Sequence, residues 1–192
     1  MEKIRQVMRQ MIQISEIELK EFLGKCFIKN FRKNEILSRL SSVPNEIFFI
    51  NSGLIRVMVL DKEGKENTIH FAMENQFIAD YSNFIQRHPS HYILEALEDT
   101  QVVVLPRQAI DWGYSHLKEG QKMGRLVAEY YFIYQDNRIK NQYIRTPKER
   151  YDNITEVFPN IHNRVPQHMI ASYLGITSVH LSRLKKQEFP KV

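Results

Sequence analysis

The segment from Val165 to Lys186 constrains this chain more than any other. It reads Val165-Pro166-Gln167-His168-Met169-Ile170-Ala171-Ser172-Tyr173-Leu174-Gly175-Ile176-Thr177-Ser178-Val179-His180-Leu181-Ser182-Arg183-Leu184-Lys185-Lys186. Pro166 stands where the first turn of a helix tolerates a missing N–H. Ala171 is small where two helices would cross closely. Gly175, four residues on, supplies the left-handed residue that a tight turn between helices needs. Ile170, Leu174, Ile176, Leu181 and Leu184 fall at the apolar positions that would hold the pair together, and Thr177 is placed to cap the second helix. The pattern predicts a helix-turn-helix.

A unit of this kind reads duplex DNA by laying its second helix in the major groove, with residues near that helix's N-terminus on base edges. The outward positions are Ser178, Val179, His180, Ser182 and Arg183. Arg183 is the strongest base-reading candidate, because a bidentate guanidinium on guanine is the commonest specific contact, and Val179 could touch a thymine methyl. Lys185 and Lys186, with Gln167 and His168 on the first helix, are expected on phosphates, and capping by Thr177 aims backbone amides the same way. Charge agrees with this reading. The net charge is +5, and residues 140–192 hold nine Lys/Arg against four Asp/Glu, whereas residues 1–139 hold 18 of each sign. A local basic excess of this kind is what phosphate neutralisation requires.

Upstream the texture differs. Ile4, Val7, Met8, Met11 and Ile12 recur at helical spacing, and Ser15 with Glu18 has the form of a capping box, so residues 2–23 are expected as helix in two pieces. From about residue 26 short apolar runs alternate with turns. Asn45 to Ile50, Leu54 to Leu60 and Glu66 to Ala72 read as strands, reversed at Asn51-Ser52-Gly53 and Asp61-Lys62-Glu63-Gly64-Lys65. Ser90 to Leu97 and Gln101 to Leu105 add two more across Glu98-Asp99-Thr100. Short strands at this spacing imply a small antiparallel barrel or roll whose interior could hold a ligand.

Between strands and reader, Pro106 opens a helical stretch that runs to Thr146-Pro147 with a break near Gly120. Met123, Leu126, Tyr130, Ile133 and Asn137 alternate spacings of three and four, the seam of a coiled coil, and Val127, Tyr131 and Tyr134 lie beside it. A parallel homodimer is expected, with Asn137 fixing register; Met123, Leu126, Val127, Tyr130, Ile133 and Asn137 are the interface candidates.

Barrel, long helix and helix-turn-helix in this order resemble the cyclic-AMP receptor protein/Fnr family of bacterial transcription regulators. Besides the reader, the resemblance is carried by Asn45 to Arg56, by Asp61-Lys62-Glu63-Gly64-Lys65-Glu66 and by Gln76-Phe77-Ile78-Ala79-Asp80-Tyr81. It implies an α+β architecture: a cyclic-nucleotide-binding-like β-roll (double-stranded β-helix or jelly roll) over residues 1–117, a dimerisation helix and linker over 118–146, and a helix-turn-helix DNA-binding domain over 147–192. It implies a homodimer on double-stranded DNA, switched by a small-molecule effector in the roll, with RNA polymerase as a further partner. Nucleotide-binding members carry Gly-Glu for the ribose and, about ten residues later, an Arg and a small residue for the cyclic phosphate. This chain has Ala79-Asp80 and then Ser90-His91. Losing the Arg removes the charge-assisted bond to phosphate. Cyclic AMP is therefore not the expected ligand; Ala79, Asp80, Tyr81, Ser90 and His91 mark the pocket, and the effector is unknown.

Cys26 is the only cysteine, too few for an iron–sulfur cluster, and its apolar neighbours make it a core filler. No apolar run approaches a membrane span and the N-terminus has no signal-peptide pattern, so a cytoplasmic protein is expected. No catalytic or metal site and no cofactor is expected: His70, Asp80, His88 and His91 are the only grouping an enzyme could use, and no motif fixes their geometry. The alternative to a regulator is a protein-interaction module of the same fold. Residues 147–165 leave room for one short helix, Lys148 to about Phe158, and none for the strand pair of a wing.

Overall fold

A computed structural model describes residues 1–188. The chain begins with helices α1 (Glu2–Met11) and α2 (Glu16–Leu23). The expected capping box separates them: the Glu18 amide donates to Ser15 Oγ at 3.3 Å and the Ser15 amide donates to Glu18 Oε2 at 2.9 Å. Cys26 follows, buried, its thiol donating to the Phe22 carbonyl.

Eight strands follow: β1 (Phe27–Phe31), β2 (Ile36–Ser38), β3 (Glu46–Ser52), β4 (Ile55–Leu60), β5 (Glu66–Ala72), β6 (Phe77–Ile78), β7 (Ile93–Ala96) and β8 (Thr100–Pro106), with helix α3 (Tyr81–Gln86) between β6 and β7. They form two four-stranded antiparallel sheets, ordered β1-β8-β3-β6 and β2-β7-β4-β5. Alternation predicts β3, β4, β5 and β8 within two residues at each end. It does not reveal β1, β2, β6 or α3. The strand expected over Ser90 to Leu97 shortens to β7, because the Ser90 hydroxyl donates to Asp80 and to the Tyr92 carbonyl and accepts from the Tyr92 amide.

The inner strands β3 and β8 of the first sheet are buried on both faces. Phe48, Ile50, Val102 and Val104 meet Ile55, Val57, Leu94 and Ala96 of the second sheet, while Ile47, Phe49, Val103 and Leu105 face Ile4, Met8, Leu19 and Phe22 of the N-terminal helices. That double burial accounts for the unbroken apolar run Val102-Val103-Val104-Leu105. Gly53, at φ +104°, makes the β3–β4 reversal, and a Cβ there would stand 2.3 Å from Thr100 Oγ1.

Helix α4 (Arg107–His116) and the 25-residue α5 (Gly120–Ile144) confirm the break expected near Gly120. At 1.5 Å per residue α5 is about 38 Å long, and Phe132, Ile133, Ile139, Tyr143 and Ile144 along it are exposed. Among the described residues four helices follow: α6 (Pro147–Val157), α7 (Ile161–Arg164), α8 (Gln167–Leu174) and α9 (Ser178–Glu188). The single helix expected before Val165 is thus two, since Asn160 at φ 60° turns the chain into α7. Among the described residues no strand follows β8.

These helices do not stand apart from the barrel. Leu54, Phe71, Met73 and Leu97 share one core with Ile154, Phe158, Ile170, Leu174, Leu181 and Leu184. The Thr68 amide donates to Ser172 Oγ at 2.9 Å. Arg164 clamps two acidic turns, donating to Glu74 at 2.9 and 3.0 Å and to Glu98 at 2.5 and 3.2 Å. Hydrogen bonds to Glu98 first, then Glu74, hold the guanidinium firmly charged.

Candidate functional site

Helix α8 ends as its sequence requires. Gly175 is left-handed (φ 69°, ψ 33°); its amide donates to the Ser172 carbonyl at 3.1 Å, and the Ile176 amide reaches back to Ala171 at 3.0 Å. This pair of bonds is the Schellman closure, which turns the chain within three residues. Thr177 then caps α9 by accepting from the His180 amide at 3.2 Å. Ile170, Ala171, Leu174, Leu181 and Leu184 are buried, as their spacing predicts. On α6 the Thr146–Glu149 capping box starts the helix behind Pro147, and Arg150 ties it to its neighbours by donating to the Leu174 and Arg145 carbonyls.

The arrangement leaves one face of α9 open. Ser178, Val179, His180, Ser182, Arg183 and Lys186 are exposed, as are Gln167, His168 and Thr177, while Lys185 is half-buried. The core shared with the barrel uses other positions, Ile170, Ala171 and Leu174 of α8 with Leu181 and Leu184 of α9.

Along α5 the seam residues divide. Met123 is buried in the chain's own core, 7% exposed, and Leu126 and Val127 are half-buried against the N-terminal region. Tyr130, Ile133 and Asn137 are exposed. Phe132 (72% exposed), Ile139, Tyr143 and Ile144 extend the uncovered apolar surface of the same helix.

Between α5 and the barrel lies a cleft of about 690 Å³. Ala79, Asp80 and Tyr81 are on its wall, as the sequence suggests; Ser90 lies behind Asp80, and His91 points to the surface, away from it. Asp80, 3% exposed, caps α3 and accepts from Ser90 Oγ (2.6 Å), Asn83 Nδ2 (2.8 Å) and Ser82 Oγ (3.3 Å). The two positions ten residues apart do meet, but as a carboxylate satisfied by hydroxyl and amide donors. Among the described residues the groups that hydrogen-bond to Asp80 are all neutral.

The long helix supplies the rest of the wall through Ala128, Tyr131, Phe132, Gln135, Arg138 and Ile139, which share one face. Tyr131 stacks on Tyr81 at 5.5 Å and donates to the Phe77 carbonyl at 2.7 Å. At the far end His70, 6% exposed, shares a 2.5 Å hydrogen bond with Tyr134, whose hydroxyl is 3.1 Å from that of Tyr173 on α8. Burial, then the nearby Arg138 charge, pushes the imidazole down to about 3, so it is neutral. The Arg138 guanidinium lies 5.4 Å from the Tyr173 ring centre, with Nε buried and unpartnered. Sequence reasoning placed Tyr131 and Tyr134 beside the seam but missed Arg138 and Tyr173; the signal was there in the three-and-four spacing Tyr131, Tyr134, Arg138. Among the described residues no group of three or more His, Cys, Asp or Glu could hold a metal ion, and no helix is long and apolar enough to cross a membrane.

Residues 28–114 match the cyclic nucleotide-binding domain family. No curated protein matches the chain. Among solved structures, FixK2 from Bradyrhizobium japonicum superposes with a TM-score of 0.72 at 15% identity, covering 84% of this chain and 83% of that one. The c-di-GMP-responsive global regulator CLP of Xanthomonas campestris gives 0.69 at 10% identity, with 91% of each chain covered. A CooA mutant from Carboxydothermus hydrogenoformans gives 0.65 at 16%, covering 92% of this chain and 86% of that one. Residues 28–114 are thus similar to cyclic nucleotide-binding domains and, across most of its length, the chain shares the fold of these three proteins.

Proposed function

We propose that the chain is a cytoplasmic transcription regulator of the cyclic-AMP receptor protein/Fnr type, binding double-stranded DNA as a homodimer. The observation that carries this reading is the Schellman-closed pair α8–α9, whose outward residues Ser178, Val179, His180, Ser182 and Arg183 stand free on a basic surface. The organisation is a sensor over residues 1–117, a dimerisation helix to 146 and an all-helical reader beyond it. Arg183 reads a guanine, and Lys185, Lys186, Gln167 and His168 hold phosphates. The uncovered Tyr130, Ile133 and Asn137 of α5 meet a second copy. The cleft takes a small-molecule effector other than cyclic AMP, because its phosphate end presents Asp80 and no arginine. The chain acts by binding, not catalysis, and RNA polymerase is the partner through which a bound dimer would act.

The test is selection of sites from random duplex DNA by the purified chain. Enrichment of a two-fold-related sequence supports the reader and the dimer together. A folded chain that enriches nothing, with or without the small molecules named below, points instead to a protein-interaction module.

A further inference from the structure

We infer that Arg138 is an anion anchor, which makes the cleft selective for small organic anions with a flat apolar body and reports their binding to α8. This deepens the effector reading of the cleft and rests on it. Among the described residues no carboxylate pairs with Arg138, whose guanidinium is held only by the Tyr173 side chain. Asp136, two residues away, is paired with Lys140. Asp80, the carboxylate on the wall, is already saturated by Ser90, Asn83 and Ser82. Arg138 Nε is buried with no hydrogen-bond partner, a state that costs free energy until an acceptor arrives. A planar guanidinium favours a carboxylate or sulfonate, which it can bind through two parallel bonds.

The remaining wall fixes the other half of the ligand. Tyr131, Phe132, Ile69, Ile78 and Ile139 offer aromatic and aliphatic surface, and the volume of about 690 Å³ suits a molecule of one or two rings. The anion end would lie toward the long helix, opposite the place where Asp80 and Ser90 meet. Arg138 also touches the C-terminal helices through the Tyr173 ring on α8. An anion that draws the guanidinium into the cleft weakens that contact, so occupancy is felt where α8 packs on β5.

The probe pair is 2-naphthoate and its neutral isostere 2-naphthamide, titrated calorimetrically into the full chain. The acid is expected to bind at least about tenfold more tightly than the amide, the ratio a charge-assisted bond supplies. Arg138→Met should abolish the preference, weakening the acid by at least about tenfold more than the amide; Arg138→Lys, a gentler change, should keep part of it. Hydrogen exchange of residues 167–174 should accelerate at least about twofold with the acid and not with the amide. Equal binding of acid and amide overturns the anchor while leaving the cleft a ligand site. Binding of neither overturns the effector reading and the anchor with it. A preference for acid without any change in exchange overturns the report to α8.

Discussion

Acidification from pH 7 to pH 5 should weaken this fold through His70. The folded chain keeps its imidazole neutral, with a pKa lowered from 6.5 to about 3 by burial and by the Arg138 charge. The unfolded chain takes up a proton near the ordinary value of 6.5. Stability is therefore fully present above that value and is lost as the pH falls, because only the unfolded state gains the proton. Between pH 7 and pH 5 the loss is about 2 kcal/mol, and this holds for any folded value well below 5. The depressed carboxylates Glu74, Glu119 and Glu149 lose their contributions only as the pH falls through and below 4.5, under this window. Urea denaturation followed by Trp112 fluorescence, at one protein concentration and at both pH values, measures the difference. His70→Gln, which keeps an acceptor for Tyr134, should be nearly flat across the same range. A wild-type loss that persists undiminished in His70→Gln would refute the assignment.

Arg164→Ala should destabilise the chain by about 1–3 kcal/mol, since it removes the guanidinium that holds the Glu74 and Glu98 carboxylates together and leaves Glu74 only the Gly53 amide as donor; urea denaturation reads it, and an unchanged midpoint would discount the clamp. Gly53→Ala should cost at least about 2 kcal/mol by thermal or urea melting, because it adds a Cβ at positive φ against Thr100. On a selected site, Arg183→Ala should cost about 1–3 kcal/mol at one base pair per half-site; equal loss on every sequence would move it to a phosphate role. Lysine at both Leu126 and Ile133 should yield monomers in sedimentation, and a double variant that stays dimeric would shift the interface to the Phe132–Ile139 side of α5.

The elements that were legible in the sequence are those whose signal is local. The Ser15–Glu18 box, Gly175 between two apolar runs, and the turns at Gly53 and Gly64 each state their geometry within four or five residues. The alternating strands β3, β4 and β5 follow for the same reason. What stayed hidden depends on distant partners. Strands β2 and β6 have three and two residues and exist only because β7 and β3 pair with them. Asn160 starts α7 from a left-handed backbone that its neighbours do not announce. The cleft was legible at Ala79-Asp80-Tyr81, where a motif could be compared, and illegible at Arg138, whose meaning comes from what surrounds it. Met123 reads as a seam residue by spacing, yet it is spent on the chain's own core.

The shared core of Leu54, Phe71, Leu97, Phe158, Ile170 and Leu181 has a consequence for modularity. A unit that can be exchanged between proteins needs an apolar interior that closes on itself. Here the last four helices complete theirs with barrel side chains, and the barrel leaves Leu54 and Phe71 for them to cover. A chain shortened at residue 146 would carry an oily scar on β4 and β5, and the released helices would lack part of their floor. Grafting these helices onto another barrel would therefore require recutting both surfaces, whereas the outward residues of α9 can change without touching the shared core.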